Sequence, residues 1–128
     1  MAVSLLIVSH SADVARGTAD LARQMAGQDL TIGWTGGNPA GGLGTSMAAI
    51  IEQLEAIWQP DGVAVLVDVG GAETNSEMAI EQLSPERAAR VVICEAPLVE
   101  GAIMAAAEAS SGGTLDEVVR AAEEFMRG

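Results

Sequence analysis

Four short apolar runs punctuate the chain, Val3–Val8, Leu30–Trp34, Val63–Val67 and Val91–Cys94. Each is rich in β-branched or aliphatic residues, the signature of a strand. In the first, third and fourth runs, apolar residues occupy successive positions. Strand side chains alternate between faces, so both faces of those three are expected to be buried. The second run, LTIGW, interleaves Thr31 and Gly33 and is expected at an edge.

Between the runs the apolar positions recur at helical spacing. Asp13 stands where it can cap a helix with Val14, Leu21 and Met25 near one face, ending at Gly27. Thr45 or Ser46 caps the next, which carries Met47, Ile50, Ile51, Leu54, Ile57 and Trp58 and is closed by Pro60. Thr74 with Glu77, and Thr114 with Glu117, have the spacing of a capping box. The helices they open hold Met78 and Leu83, then Leu115, Val118, Ala122 and Phe125. An alanine-rich helix spans Leu98 to Ala109, and Ser-Ser-Gly-Gly separates it from the last one. Strands alternating with helices predict an α/β fold, a doubly wound, mainly parallel four-stranded sheet of order 2-1-3-4 with helices on both faces. Residues 1–128 read as a single domain, and the one long loop is the glycine-rich stretch from Thr35 to Gly44.

Composition narrows the function. The chain is 49% hydrophobic and 19% charged, as folded proteins are. It has no lysine and a formal charge of −12, which repels a phosphate backbone, so nucleic acid is not an expected partner. The amino terminus, MAVSLLIVSH, has no positive charge before a short apolar run, and no later run approaches the roughly 20 residues that span a bilayer. Neither a signal peptide nor a membrane helix is expected. Cys94 is the sole cysteine, inside the run VVIC, and is expected to be a buried small hydrophobe. A cytoplasmic location fits these features.

In an open parallel sheet, ligands bind beyond the carboxyl ends of the strands, where neighbouring connections leave to opposite faces. For the order 2-1-3-4 that point lies between strands one and three. His10 follows strand one and Asp68 ends strand three, so the topology sets an imidazole beside a carboxylate. A carboxylate accepting the Nδ1 hydrogen leaves Nε2 free to attack, which suits a phosphoryl carrier with His10 as nucleophile and Asp68 orienting it. Ser9, Ser11, Thr45 and Ser46 are the candidates to receive the phosphoryl oxygens on hydroxyls and backbone amides. Positioning carries most of phosphoryl transfer, and no metal or bound cofactor is expected beyond the covalent phosphohistidine itself. Plainer roles stand beside these: a structural histidine, a turn opened by Asp68, a cap at Thr45. The glycines at 36, 37, 41, 42 and 44 do not form a nucleotide-hydrolysing P-loop, which requires a lysine.

The chain resembles the phosphotransferase subunit of the bacterial dihydroxyacetone kinase, a relative of the mannose-type enzyme IIA domains. The resemblance rests on VSHS around His10, GTS at 44–46, LVDVGGAETNSEMAIE at 66–81 and APLVEGAIMAAAEASSG at 96–112. It implies that His10 is phosphorylated and Asp68 is the carboxylate beside it. It further implies that HPr, charged by enzyme I from phosphoenolpyruvate, is the donor. The acceptor it implies is ADP on the nucleotide-binding kinase subunit, whose partner subunit holds dihydroxyacetone. Relatives that continue into HPr-like and enzyme I-like domains imply that these activities reside here in separate proteins, and the resemblance also implies a homodimer. Two alternatives remain: a mannose-type enzyme IIA serving a sugar-transporter domain, and a non-catalytic flavodoxin-like binding module.

Overall fold

The computed structural model describes residues 2–27 and 29–127, with side-chain surroundings through Glu124. The elements follow in the order β1 (Ser4–Ser9), α1 (Ala12–Ala26), β2 (Ile32–Gly36), α2 (Met47–Ile57), β3 (Val63–Val67), α3 (Gly70–Glu81), α4 (Pro85–Ala88), β4 (Val91–Ile93), α5 (Leu98–Ser110) and α6 (Leu115–Arg127). The strands form one parallel sheet ordered β2-β1-β3-β4, the order expected, with β2 at an edge.

Alternation along the central strands divides the core in two. Leu5, Ile7, Ala64 and Leu66 face α1, α5 and α6, while Leu6, Val8, Val63, Val65 and Val67 face α2 and α3. Every residue of β1 and β3 is buried, as successive apolar positions require. β4 is shorter than its run: Val91 is buried, and Val92 and Ile93 are partly covered because the strand forms the other edge. Cys94 lies just past β4, buried, with its amide bonded to the Val65 carbonyl at 2.9 Å.

Several local expectations are corrected. β1 begins one residue late and β2 two, at Ser4 and Ile32. Ser11, not Asp13, caps α1, accepting the Val14 amide, while Asp13 sits in the first turn. Val14, Leu21 and Met25 do share a face, and that face is exposed. The buried stripe is Ala15, Thr18, Ala19 and Ala22, packed with Ala102, Ala105, Ala106 and Ala109 of α5. Small side chains on both helices allow a close approach that larger ones would obstruct, so size failed as a guide to burial here. Thr74 and Glu77 form no capping box, because α3 starts four residues before Thr74, directly off Asp68 and Val69. Met78 is exposed, and Leu83 is buried beyond the end of α3. The short α4, capped by Ser84 with Pro85 in its first turn, was not foreseen. Thr114 and Glu117 do make the reciprocal box, at 2.8 and 3.2 Å. The Phe125 side chain lies outside the described surroundings.

Candidate active site

β1 and β3 are neighbours, yet α1 follows one onto one face and α3 follows the other onto the opposite face. Val8 pairs with Val67, so the residues beyond them emerge side by side. There the His10 Nδ1 lies 3.0 Å from Asp68 Oδ1. The two side chains are 31% and 23% exposed, held in place but open to a visitor.

Four donors converge on the Asp68 carboxylate. Oδ2 accepts the Ser9 hydroxyl at 2.7 Å and the His10 amide at 2.9 Å, and Oδ1 accepts the Val69 amide at 2.7 Å besides the ring. Partial burial pushes the Asp68 carboxyl up. The bonds from the His10 amide, the Ser9 hydroxyl, the His10 ring and the Val69 amide outweigh this, and the pKa is lowered. An ionised carboxylate only accepts, so Nδ1 carries the ring hydrogen toward Asp68 and Nε2 presents its lone pair. Two contacts at each oxygen occupy the carboxylate's accepting capacity, leaving it ill suited to draw a proton from water.

The space beside Nε2 is set by a glycine. A Cβ on Gly71 would stand 2.9 Å from Nε2 and 3.4 Å from Cε1. Gly70 and Gly71 open α3, where the first amides of a helix have no intrahelical acceptor and carry partial positive charge. The loop between β2 and α2 meets His10 at its backbone. The Gly44 amide donates to the His10 carbonyl at 2.8 Å. Asn38 braces the same loop, its Oδ1 accepting the Ala40 and Gly42 amides and its Nδ2 donating to the Leu43 carbonyl. Gly36 allows the loop to leave β2 against α1, since a Cβ there would meet the Ser11 carbonyl oxygen at 2.6 Å.

The four oxygen-bearing candidates divide by environment. Ser9 is fully buried; its hydroxyl donates to Asp68 and accepts the Ser11 amide at 3.1 Å. This corrects its expected use as a direct phosphoryl contact, because burial commits that hydroxyl to the carboxylate. Ser11 and Ser46 cap α1 and α2, accepting amides at 3.3 and 3.2 Å. Thr45 accepts a hydrogen bond from Asn75 of α3. Gly71, Asn75 and the Val69 amide were not singled out from sequence. Only the i, i+4 spacing of Gly71 and Asn75 hinted at a shared face.

The model of the mannose-type enzyme IIA family, described as the PTS system fructose IIA component, matches residues 4–119. The chain belongs to this family. It is 40% identical over 120 residues to the phosphoryl donor subunit DhaM of the PEP-dependent dihydroxyacetone kinase of Escherichia coli K12, covering 91% of this chain. The chain spans only about a quarter of that relative's length, the covered share being 25%. A shorter relative, a DhaM subunit of Listeria innocua, is 32% identical, with 83% of this chain and 85% of that protein covered. Among solved structures, a protein of unknown function superposes with a TM-score of 0.84 at 30% identity, covering 96% of this chain and 94% of that one. The dihydroxyacetone kinase of C. freundii, with a TM-score of 0.62 and 19% identity, shares the fold over 96% of this enzyme IIA chain and 24% of its own. No helix among the described residues is long and apolar enough to cross a membrane.

Proposed function

We propose that this enzyme IIA domain is a phosphohistidine carrier that takes phosphate from phospho-HPr and passes it to ADP on the nucleotide-binding subunit of dihydroxyacetone kinase. The single observation that supports it most is a histidine oriented through Nδ1 by a carboxylate, with Nε2 facing the space that Gly71 leaves. The kinase assignment draws on the DhaM relatives in E. coli and Listeria innocua.

In the first transfer the Nε2 lone pair attacks phosphorus and forms the new N–P bond. The donor's own N–P bond breaks, its electron pair returning to the donor imidazole. His10 becomes a phosphoimidazolium, and the ionised Asp68 balances that charge across the Nδ1 hydrogen bond. In the second transfer a β-phosphate oxygen of ADP attacks, and the pair returns to Nε2. No proton moves at Nε2, and the saturated carboxylate spares the intermediate from water. Ser11, Thr45 and Ser46, with the first amides of α3, are the groups proposed to hold the phosphoryl oxygens. The carrier is proposed to work in the cytoplasm as a homodimer, with the dihydroxyacetone-binding subunit as final recipient through the nucleotide.

Incubation with phosphoenolpyruvate, enzyme I and HPr should add one acid-labile phosphate. His10→Ala should abolish it, and labelling that survives refutes the assignment. Adding the two kinase subunits should then yield dihydroxyacetone phosphate; discharge only to a sugar-transporter domain instead would refute the kinase role.

A further inference from the structure

Two segments meet His10, one at its backbone and one at its ring, and one side-chain contact ties them together. On one side Gly44, the residue before Thr45, donates its amide to the His10 carbonyl at 2.8 Å. On the other, Gly71 stands in the first turn of α3, where a Cβ would come within 2.9 Å of Nε2. Asn75 lies four residues farther along α3, on the same helix face as Gly71. From that face its side-chain amide donates to the Thr45 hydroxyl, a partly buried contact between residues 30 apart in sequence.

We propose that Asn75 is a positioning residue for phosphoryl transfer, acting through Thr45, and this rests on His10 being the phosphoryl acceptor. A hydroxyl has one hydrogen to give and two lone pairs to accept with. By donating, Asn75 fills one accepting position and turns the Thr45 hydrogen away from itself. No other hydrogen bond engages that hydroxyl among the described residues. The result is a donor held in place beside the nucleophile before any phosphoryl group arrives, so little has to reorganise as charge builds on the phosphoryl oxygens. Asn75 has a second consequence: it fastens the segment entering α2 to α3, fixing the width of the mouth. The chemical class recognised is a tetrahedral or trigonal phosphoryl dianion bonded to nitrogen.

The test uses phosphoramidate, a small donor that needs no partner protein. His10 Nε2 attacks its phosphorus, the donor P–N bond breaks, and the nitrogen leaves as ammonia with a proton from solvent. Phosphohistidine formation is followed by phosphorus NMR on the wild type, Thr45→Val, Asn75→Leu, the double variant and Thr45→Ser. Each of the first two single variants should label roughly a hundredfold more slowly, the lower end of the scale for losing one preorganised donor. The double variant should be no slower than Thr45→Val, and Thr45→Ser should recover most of the rate. Thermal melting confirms that each variant is folded, and Asn75→Ala carries the same measurement should Asn75→Leu not fold. Wild-type labelling rates in the Asn75 variants, or losses that multiply in the double variant, overturn the proposal. A wild type that takes no phosphate on His10 overturns instead the carrier reading on which it rests.

Discussion

Replacing Ser9 by alanine removes one oxygen and touches two partners. Asp68 Oδ2 loses a donor at 2.7 Å, and the Ser11 amide loses its acceptor at 3.1 Å, just where α1 begins. A hydrogen bond to a charged group is worth about 1.5–3 kcal/mol, and an orphaned buried amide costs about 1–3 kcal/mol. Ser9 is fully buried, but the Asp68 side chain is 23% exposed, so water recovers part of the loss. A net destabilisation of about 2 kcal/mol follows, which in a domain of this size lowers the melting temperature by roughly 6–10 °C. The pH dependence separates this account from simple loss of packing. Asp68 has a folded pKa below its ordinary 3.8, so its stabilising contribution is complete above that value and is lost as pH falls through the lower folded one. Taking away the Ser9 donor raises the folded pKa and shrinks the contribution. The gap between wild type and Ser9→Ala should therefore be full at pH 6–7 and narrow below about pH 4, in urea melts at each pH. Phosphoramidate labelling of His10 should slow at pH 7, because a carboxylate with a loosened Oδ2 orients the ring less well. A stability gap of constant size from pH 7 to pH 3, with unchanged labelling, would refute the coupling from Ser9 through Asp68 to His10.

Three further outcomes follow from the same geometry. Asp68→Asn keeps the shape but puts a neutral amide opposite Nδ1; labelling should fall by roughly a hundredfold or more while circular dichroism is unchanged, and an unaltered rate removes Asp68 from the chemistry. Gly71→Ala should pull stability and activity apart. Alanine in the first turn of α3 gains up to about 1 kcal/mol over glycine, while its Cβ, 2.9 Å from Nε2, displaces the ring; a melting temperature held or raised with labelling about tenfold slower is the expected pair. Burial, with the Glu123 charge beside it, pushes the Cys94 thiol up to about 12, so alkylation by iodoacetamide at pH 8 should require prior unfolding. Rapid modification of the folded protein would contradict that environment.

The sheet was legible because β3 is apolar at every position and β1 from Leu5 to Val8, a pattern that only a strand covered on both faces tolerates. Strand order then predicted that His10 and Asp68 meet, and they do so at 3.0 Å. Two kinds of feature escaped. On α1 the larger residues face solvent, because the partner helix α5 is itself lined with alanine and admits only small neighbours. That fact belongs to the pair of helices and cannot be seen in either alone. On α3 a well-spaced Thr74 and Glu77 suggested a start that the chain does not use, since the turn after β3 passes straight into helix at Gly70. The site's supporting contacts, Ser9 on Asp68 and Asn75 on Thr45, join residues 59 and 30 positions apart and leave no local spacing to detect.

Asn38 gives the loop beside the nucleophile a permanent internal frame, three side-chain bonds closing a ring of glycines upon itself. A partner arriving at His10 therefore meets a finished wall and does not have to arrest a wandering segment before contact can be productive. For a protein whose proposed work is to meet two different partners in turn, that saving recurs at every encounter. It favours complexes that form readily and part just as readily, with the chemistry left to set the pace.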